Sequence, residues 1–132
     1  MKRWLAAIVA AGACAFATQA YAHHSFPDSY LEGQTVTIQG ELAQILLRNP
    51  HSLVQVVVKE RNGSLVRYAV EWISVTELMG QGMTPDTLKL GDFVVISGAP
   101  GRIPTDHRVR MTSLRRPKDG LSWTIRPRTM SE

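Results

Sequence analysis

Cysteine, aromatic residues and catalytic motifs are all scarce in this sequence of 132 residues. Cys14 is the only cysteine, and aromatic residues make up 7% of the chain. A single thiol can form neither an internal disulfide nor the multi-cysteine clusters that bind zinc or iron–sulfur centres. The chain also lacks a phosphate-cradling glycine loop, a Gly-x-Ser-x-Gly motif and a carboxylate pair suited to glycoside hydrolysis. No catalytic residue is therefore predicted, and a non-enzymatic function is favoured.

The first 22 residues have the layout of a secretory signal peptide. Lys2 and Arg3 precede an apolar run of 14 residues at positions 4–17, and Ala20 and Ala22 form an Ala-x-Ala cleavage pattern. A spanning helix needs about 20 apolar residues, so the run is too short to favour a permanent anchor. We therefore expect cleavage before His23 and a periplasmic or secreted protein with no transmembrane anchor after processing.

Two other ways of processing this segment are open. Cleavage after Ala20 is the main rival, and it would leave Tyr21 at the mature N-terminus. A lipoprotein signal at Cys14 is disfavoured, because Ala11 stands where such signals prefer leucine and the apolar run continues beyond the cysteine. The cleavage point determines which residue carries the free α-amine of the mature chain.

The mature chain would have 110 residues and no cysteine, a common size for one domain. It keeps 13 Lys and Arg against 11 Asp and Glu, a net charge of +2. So small a net charge argues against nucleic-acid binding. We predict a signal peptide over residues 1–22, a β-barrel domain over residues 23–116 and an irregular basic C-terminal tail over residues 117–132.

The apolar pattern of the mature chain is mostly that of β-strands. Runs rich in β-branched and alternating apolar side chains predict strands at 35–47, 53–59, 65–73, 93–97 and 108–114. Asn49-Pro50 ends the first strand, because proline lacks an amide donor and restricts the residue before it. Gly40 is a candidate for a bend within that long strand.

The connection between the second and third strands allows their register to be predicted. The three-residue loop Arg61-Asn62-Gly63, with its glycine in the left-handed conformation, pairs Glu60 with Ser64. The valines of the second strand then face apolar residues of the third, whereas a two-residue turn would set them against Arg67 and Glu71. Because register follows the buried face, we favour the three-residue loop.

One short helix is predicted between the third and fourth strands. Ser74, with Glu77 three residues later, forms a capping box, and Gly80 and Gly82 end the helix. Three strands, a helix and two more strands, with a long bent first strand, is the element order of the OB-fold. The predicted fold class is all-β, a small OB-fold-like five-stranded barrel. SH3-like barrels and small sandwiches are the alternatives.

Basic residues are concentrated late in the chain. The candidates for a partner-binding surface are Arg102, Arg108, Arg110, Arg115 and Arg116. Such a patch suits an acidic partner protein or another anionic ligand. A solvated strand edge is the favoured interpretation, because Lys and Arg on edges also oppose unwanted pairing and no stacking aromatic residues are interleaved.

The histidines carry the most informative chemistry. Cleavage before His23 would expose an α-amine beside its own imidazole, and these two nitrogens can chelate one metal ion, for which copper, zinc and nickel suit imidazole. His24 and His51 are the further candidate ligands, and copper is the favoured metal. In the predicted register Leu53 faces Glu71, which puts His51 diagonally across from Glu71, about 7–8 Å away between backbone positions. Glu71 is therefore a candidate to orient His51 or to ligate weakly.

Other interpretations of the histidines stay open. Cleavage after Ala20 would expose Tyr21-Ala22-His23, in which a histidine third from the amine also binds copper or nickel. Without a metal, His23 and His24 would be a flexible terminus, and His51 would cap a turn. His107 lies in a polar loop and is assigned to a turn.

Motifs shared with a known family occur along most of the mature chain. They are His23-His24-Ser25-Phe26, the strand segment 36–40, Asn49-Pro50-His51, Glu71 and the segment 84–92. Through these motifs the chain resembles a family of small exported bacterial proteins of unknown function (domain of unknown function 6152). The resemblance implies an exported β-barrel domain without an assigned reaction. The chain departs from the usual pattern at Leu47-Arg48, where an aromatic residue is common, and at Met83, where tryptophan is common.

Three functions follow from these features. The first is an exported protein that handles copper through His23, His24 and His51. The second is a non-metal binding or accessory module that docks a partner protein or an anionic ligand. The third, an oxidative copper enzyme, has suitable ligand types but no predicted substrate groove.

Overall fold

The structure is a computed structural model that describes residues 29–126. The predicted signal peptide, His23, His24 and the last six residues of the tail lie outside the described residues. Within them, the elements are β1 Val36–Leu46, β2 Ser52–Lys59, β3 Leu65–Trp72, α1 Val75–Gly80, β4 Phe93–Pro100, a 3₁₀ turn Pro104–Asp106, β5 Arg108–Arg116 and β6 Leu121–Thr124. No helix in this part of the chain has the length and apolar character needed to cross a membrane.

Five strands close into a barrel. β1 pairs antiparallel with both β2 and β4, β2 pairs with β3, and β4 pairs with β5. A parallel pairing of β3 with β5, at Ala69–Arg108, Val70–Val109 and Glu71–Arg110, completes the cylinder. This closure and the single helix between β3 and β4 confirm the predicted OB-fold-like barrel.

The predicted hairpin between β2 and β3 is confirmed in both loop and register. The Glu60 amide donates to the Ser64 carbonyl at 2.8 Å, and Gly63 adopts φ 85°. Val58 faces Val66 and Val54 faces Val70, as the buried face requires. The cap of α1 is confirmed as well: the Ser74 hydroxyl accepts the Glu77 amide at 3.1 Å and donates to its carboxylate at 3.0 Å.

β1 pairs with β2 on one edge and with β4 on the other, and the backbone of β2 approaches it closely at Gly40. A Cβ on Gly40 would stand 2.0 Å from the carbonyl oxygen of Val57, so no side chain fits there. A register shift between Leu42 and Gln44 follows a few residues on. These two features allow one strand to curve around the core and pair on both edges.

The core lies inside the barrel and continues beneath α1. Alternate residues of the strands point inward, including Val56, Val70, Ile96 and Val109, all of which are fully buried. Trp72 at the end of β3 and Leu78 of α1 extend this cluster beyond the barrel end.

The tail after Arg116 is ordered as far as it is described, which corrects the prediction that it is irregular. A turn with Gly120 at φ 75° reverses the chain, and β6 pairs antiparallel with β5. The side chain of Trp123 explains why this segment forms a strand. Trp123 is 6% exposed, and its ring packs edge to face against Trp72. Burial of the Trp123 side chain stabilises β6 even though most residues around it are polar.

Candidate functional site

His51 lies on the turn between β1 and β2, at one end of the barrel. The turn contains a cis peptide bond between Asn49 and Pro50. His51 is exposed. It lines the same two surface depressions as Glu71, so the two residues are neighbours. Leu53 pairs with Glu71, as the sequence predicted.

Hydrogen bonds hold this turn against its neighbours. Ser52, fully buried, accepts the Arg48 amide at 3.2 Å through its hydroxyl, and its own amide donates to the Ile73 carbonyl at 3.1 Å. The Asn49 side-chain amide donates to the hydroxyl of Thr76 at 3.1 Å. Because the turn is tied to both β3 and α1, the backbone that carries His51 is placed by the fold.

Glu71 forms an ion pair with Arg108, and Arg108 also binds Tyr30 near the start of the described chain. Its Oε1 accepts from Nη2 of Arg108 at 2.9 Å, and the same nitrogen donates to the Tyr30 hydroxyl at 3.0 Å. The Arg108 guanidinium also lies 5.1 Å from the centre of the Tyr30 ring. Burial and the nearby Glu71 carboxylate raise the pKa of Tyr30 to about 12, so the phenol is neutral at pH 7.

A cleft of about 510 Å³ opens beside His51 and Glu71. It lies along β5, which pairs with β3 as far as Arg110 and with β6 from Ser113 onward. The cleft therefore lies where β5 changes partner. Its lining residues are His51, Glu71, Trp72, Ile73, Glu77, Gln81, Arg110, Met111, Ile125 and Arg126.

Two tryptophans build the inner part of this region. Trp72 and Trp123 pack edge to face with ring centroids 5.3 Å apart, and the Trp123 indole N–H donates to Gln81 Oε1 at 2.7 Å. The Trp72 indole N–H is buried and has no hydrogen-bond partner within residues 29–126. A buried donor without an acceptor is uncommon and costs free energy.

The structure brings together His51 and Glu71 but leaves the other predicted metal ligands untested. His23 and His24 lie outside the described residues. Within residues 29–126, no three His, Cys, Asp or Glu residues are grouped closely enough to hold a metal ion. His51 itself has a further interaction within the protein.

Three of the five predicted partner-binding arginines form internal ion pairs. Arg108 binds Glu71, Arg110 binds Glu32, and Arg116 binds both Asp92 and Asp119. Arg102 and Arg115 are exposed, and Arg102 also interacts within the protein. Arg108, Arg110 and Arg116 therefore each contribute an ion pair to the fold.

His107 has the turn role expected of it. It follows the 3₁₀ turn with φ 47°, and its ring packs edge to face on Tyr68 with centroids 5.1 Å apart. Its carbonyl accepts the Ala69 amide at 2.9 Å, which continues the contact between β5 and β3.

Most of the cleft has no signal in the sequence. Glu77 is predicted only as part of a helix cap, and Gln81 and Arg126 belong to no motif. Tyr30 and Glu32, which bind Arg108 and Arg110, precede the first predicted strand. For Glu32, its charge opposite the many arginines of the chain is the signal that could indicate an ion pair.

Comparison with known proteins identifies the family without adding an activity. The model of a family described as a family of unknown function (DUF6152) matches residues 11–109, three quarters of the chain. No curated protein shows significant sequence similarity to this chain. The matched region contains His51, Glu71 and the first four strands, and the chain therefore belongs to the family of unknown function DUF6152.

Proposed function

We propose that this is an exported protein that binds copper and handles it outside the cytoplasm. The ligands are the α-amine and imidazole of His23, the imidazole of His51 and, as a further nitrogen donor, His24. The observation that carries the proposal is the position of His51, on a turn tied to β3 and α1 and beside Glu71. A ligand set of imidazoles and an amine suits copper better than magnesium or calcium.

The path of the chain supports this arrangement. Tyr30 packs on Arg108, and Arg108 in turn binds Glu71, the neighbour of His51. His24 is six positions before Tyr30, so their α-carbons can be at most about 22 Å apart. That reach is long enough for the proposal to bring His24 to the end of the barrel that carries His51.

Glu71 acts in this proposal by positioning rather than as a strong ligand. Its Oε1 already accepts a hydrogen bond from Arg108, which reduces the charge that the carboxylate can offer to a metal ion. The carboxylate is suited to accept from an imidazole N–H and so to orient the ring. Removal of Glu71 should weaken copper binding less than removal of His51.

The decisive experiment combines intact mass with copper titration of the secreted protein. The mass should correspond to a chain that begins at His23. The His51→Ala variant should bind copper at least about tenfold more weakly, a loss of about 1.4 kcal/mol. His107→Ala is the matched control, because it removes an imidazole from the same barrel at a turn, and it should leave the affinity unchanged.

Two results would reject the proposal as stated. A mature chain that begins elsewhere removes the chelate formed by His23, and a start at Tyr21 replaces it with the Tyr21-Ala22-His23 arrangement. Equal copper affinity of the wild type and His51→Ala removes His51 from the site. The anionic-partner alternative has less support, because Arg108, Arg110 and Arg116 also form ion pairs within the protein.

A further inference from the structure

The cleft beside β5 has the features of a ligand site in its own right. Its volume of about 510 Å³ falls within the range of about 300–1,000 Å³ that is usual for small-molecule sites. Trp72, Ile73, Met111 and Ile125 provide apolar surface, while His51 and charged residues line the rest. An apolar lining with a few polar groups is the composition expected of such a site.

Trp72 forms part of the cleft wall. Its side chain is 3% exposed, and its indole N–H is buried and has no acceptor within residues 29–126. The neighbouring Trp123 donates its indole N–H to Gln81 at 2.7 Å. Trp72 therefore contributes apolar surface to the cleft and a resonance that reports on its occupancy.

The charges around the cleft limit the kind of ligand. Glu71 is paired with Arg108 and Arg110 with Glu32, so these charges are largely neutralised within the protein. The two lining charges without an ion pair in the described part of the chain are Glu77 and Arg126, which have opposite signs. A simple anion or cation would be attracted by one and repelled by the other, whereas a ligand with both charges gains from each.

We propose that this cleft binds a small zwitterion with an apolar body, the chemistry of a dipeptide with apolar side chains. Its side chains lie against the apolar wall formed by Ile73, Met111 and Ile125. The ammonium group faces Glu77 and the carboxylate faces Arg126. The proposal goes beyond copper binding and does not depend on His23 or His24.

The test uses the indole resonances of the mature protein. After removal of residues 1–22, Trp72 and Trp123 are the only tryptophans, so a nitrogen–proton correlation spectrum has two indole peaks, which Trp123→Phe assigns. The probe is leucyl-leucine, added in the presence of a chelator so that copper plays no part. We expect a saturable shift of the Trp72 peak, with a Kd of about 1 mM or tighter.

Variants and blocked peptides test the charge assignment. Glu77→Gln and Arg126→Ala should each weaken binding about two- to fivefold, the effect of an exposed ion pair. Glu60→Gln, which removes an exposed carboxylate from the distant hairpin, should not change it. N-acetylated and C-amidated leucyl-leucine should each bind more weakly than the free dipeptide.

Three outcomes would overturn the proposal. The first is the absence of any shift at about 10 mM peptide, which corresponds to a binding free energy weaker than about 3 kcal/mol. The second is equal binding of blocked and free peptides. The third is a Trp72 indole already protected from exchange in the free protein and exposed by truncation after Arg126, which would show that the C-terminal residues fill the cleft.

Discussion

Arg116 and Asp92 form an ion pair, with 2.6 Å between Nη1 and Oδ2, in which both side chains are largely buried. The same carboxylate accepts the Lys89 amide at 3.0 Å and the Lys118 ammonium at 3.1 Å, while Arg116 also binds Asp119. Burial of Asp92 alone would raise its pKa. The hydrogen bonds from Lys89, Arg116 and Lys118 outweigh that effect and lower the pKa to about 2. The network joins the loop before β4 to the turn after β5.

Acid should weaken this network. Because the pKa of Asp92 is about 2 in the folded protein and about 3.9 in an unfolded chain, its stabilising effect is complete above about pH 4 and is lost as the pH falls toward 2. Asp92→Asn should lower the free energy of unfolding by about 1–3 kcal/mol at pH 7. Its difference from the wild type should shrink in urea unfolding at pH 2.5. Asp86→Asn, at an exposed position, is the control, and a constant difference at both pH values would contradict the assignment.

A rise in pH should ionise Tyr30 and weaken the folded state. Its raised pKa means that the folded state favours the neutral phenol, so its contribution to stability is complete below about pH 10 and is lost as the pH rises toward 12. In a protein prepared to begin at His23, Tyr30 and Tyr68 are the only tyrosines. Spectrophotometric titration should show one phenol that ionises near pH 12. Tyr30→Phe should remove that component, and its persistence in the variant would assign it to Tyr68 instead.

Gly40 should tolerate no side chain. A methyl group there would overlap the backbone of Val57, and backbone paired on both sides cannot move away. Gly40→Ala should therefore lower the free energy of unfolding by about 3 kcal/mol or more, measured in urea. Gly33→Ala is the matched control, because nothing lies within 4 Å of the added carbon. A near-neutral Gly40→Ala variant would show that β1 and β2 do not approach this closely.

Trp123 should make β6 part of the stable domain. Trp123→Ala loses the contact with Trp72 and the hydrogen bond to Gln81, and we expect a loss of about 3–5 kcal/mol in thermal or urea unfolding. Trp123→Phe keeps an aromatic ring and should cost clearly less. A chain that ends at Arg116 should be destabilised more than Trp123→Ala, because it also loses Lys118 and Asp119. Full stability of that shortened chain would show that β6 does not stabilise the domain.

Local patterns were sufficient for much of the barrel. The loop at Gly63 and the Ser74 cap could be predicted, because each depends on residues close in sequence whose hydrogen bonds are made locally. The apposition of Leu53 and Glu71 followed from the hairpin, since register propagates along a pair of strands. The same register therefore predicts from the sequence that His51 lies near Glu71.

The long-range partners of charged and aromatic residues could not be predicted in this way. Arg116 is separated from Asp92 by 24 positions and Trp123 from Gln81 by 42, and many acidic or amide residues would have been equally plausible partners from sequence alone. The ion-pair partners of the arginines could not be predicted for the same reason. Glu71 reaches Arg108 because β3 pairs with β5, and Asp92 lies 24 positions from Arg116, whereas Asp119 is a local partner of Arg116 in the turn after β5.

The amino-acid sequence by itself determined the strand order, the hairpin register, the helix cap and the family, because alternating burial and turn chemistry act over short distances. Only the tertiary structure decided that the tail forms β6, that three arginines are internally paired and that a cleft opens where β5 exchanges β3 for β6. Those features depend on which surfaces meet when the sheet closes on itself. Closure is a property of the whole chain, and no local segment of the sequence encodes it.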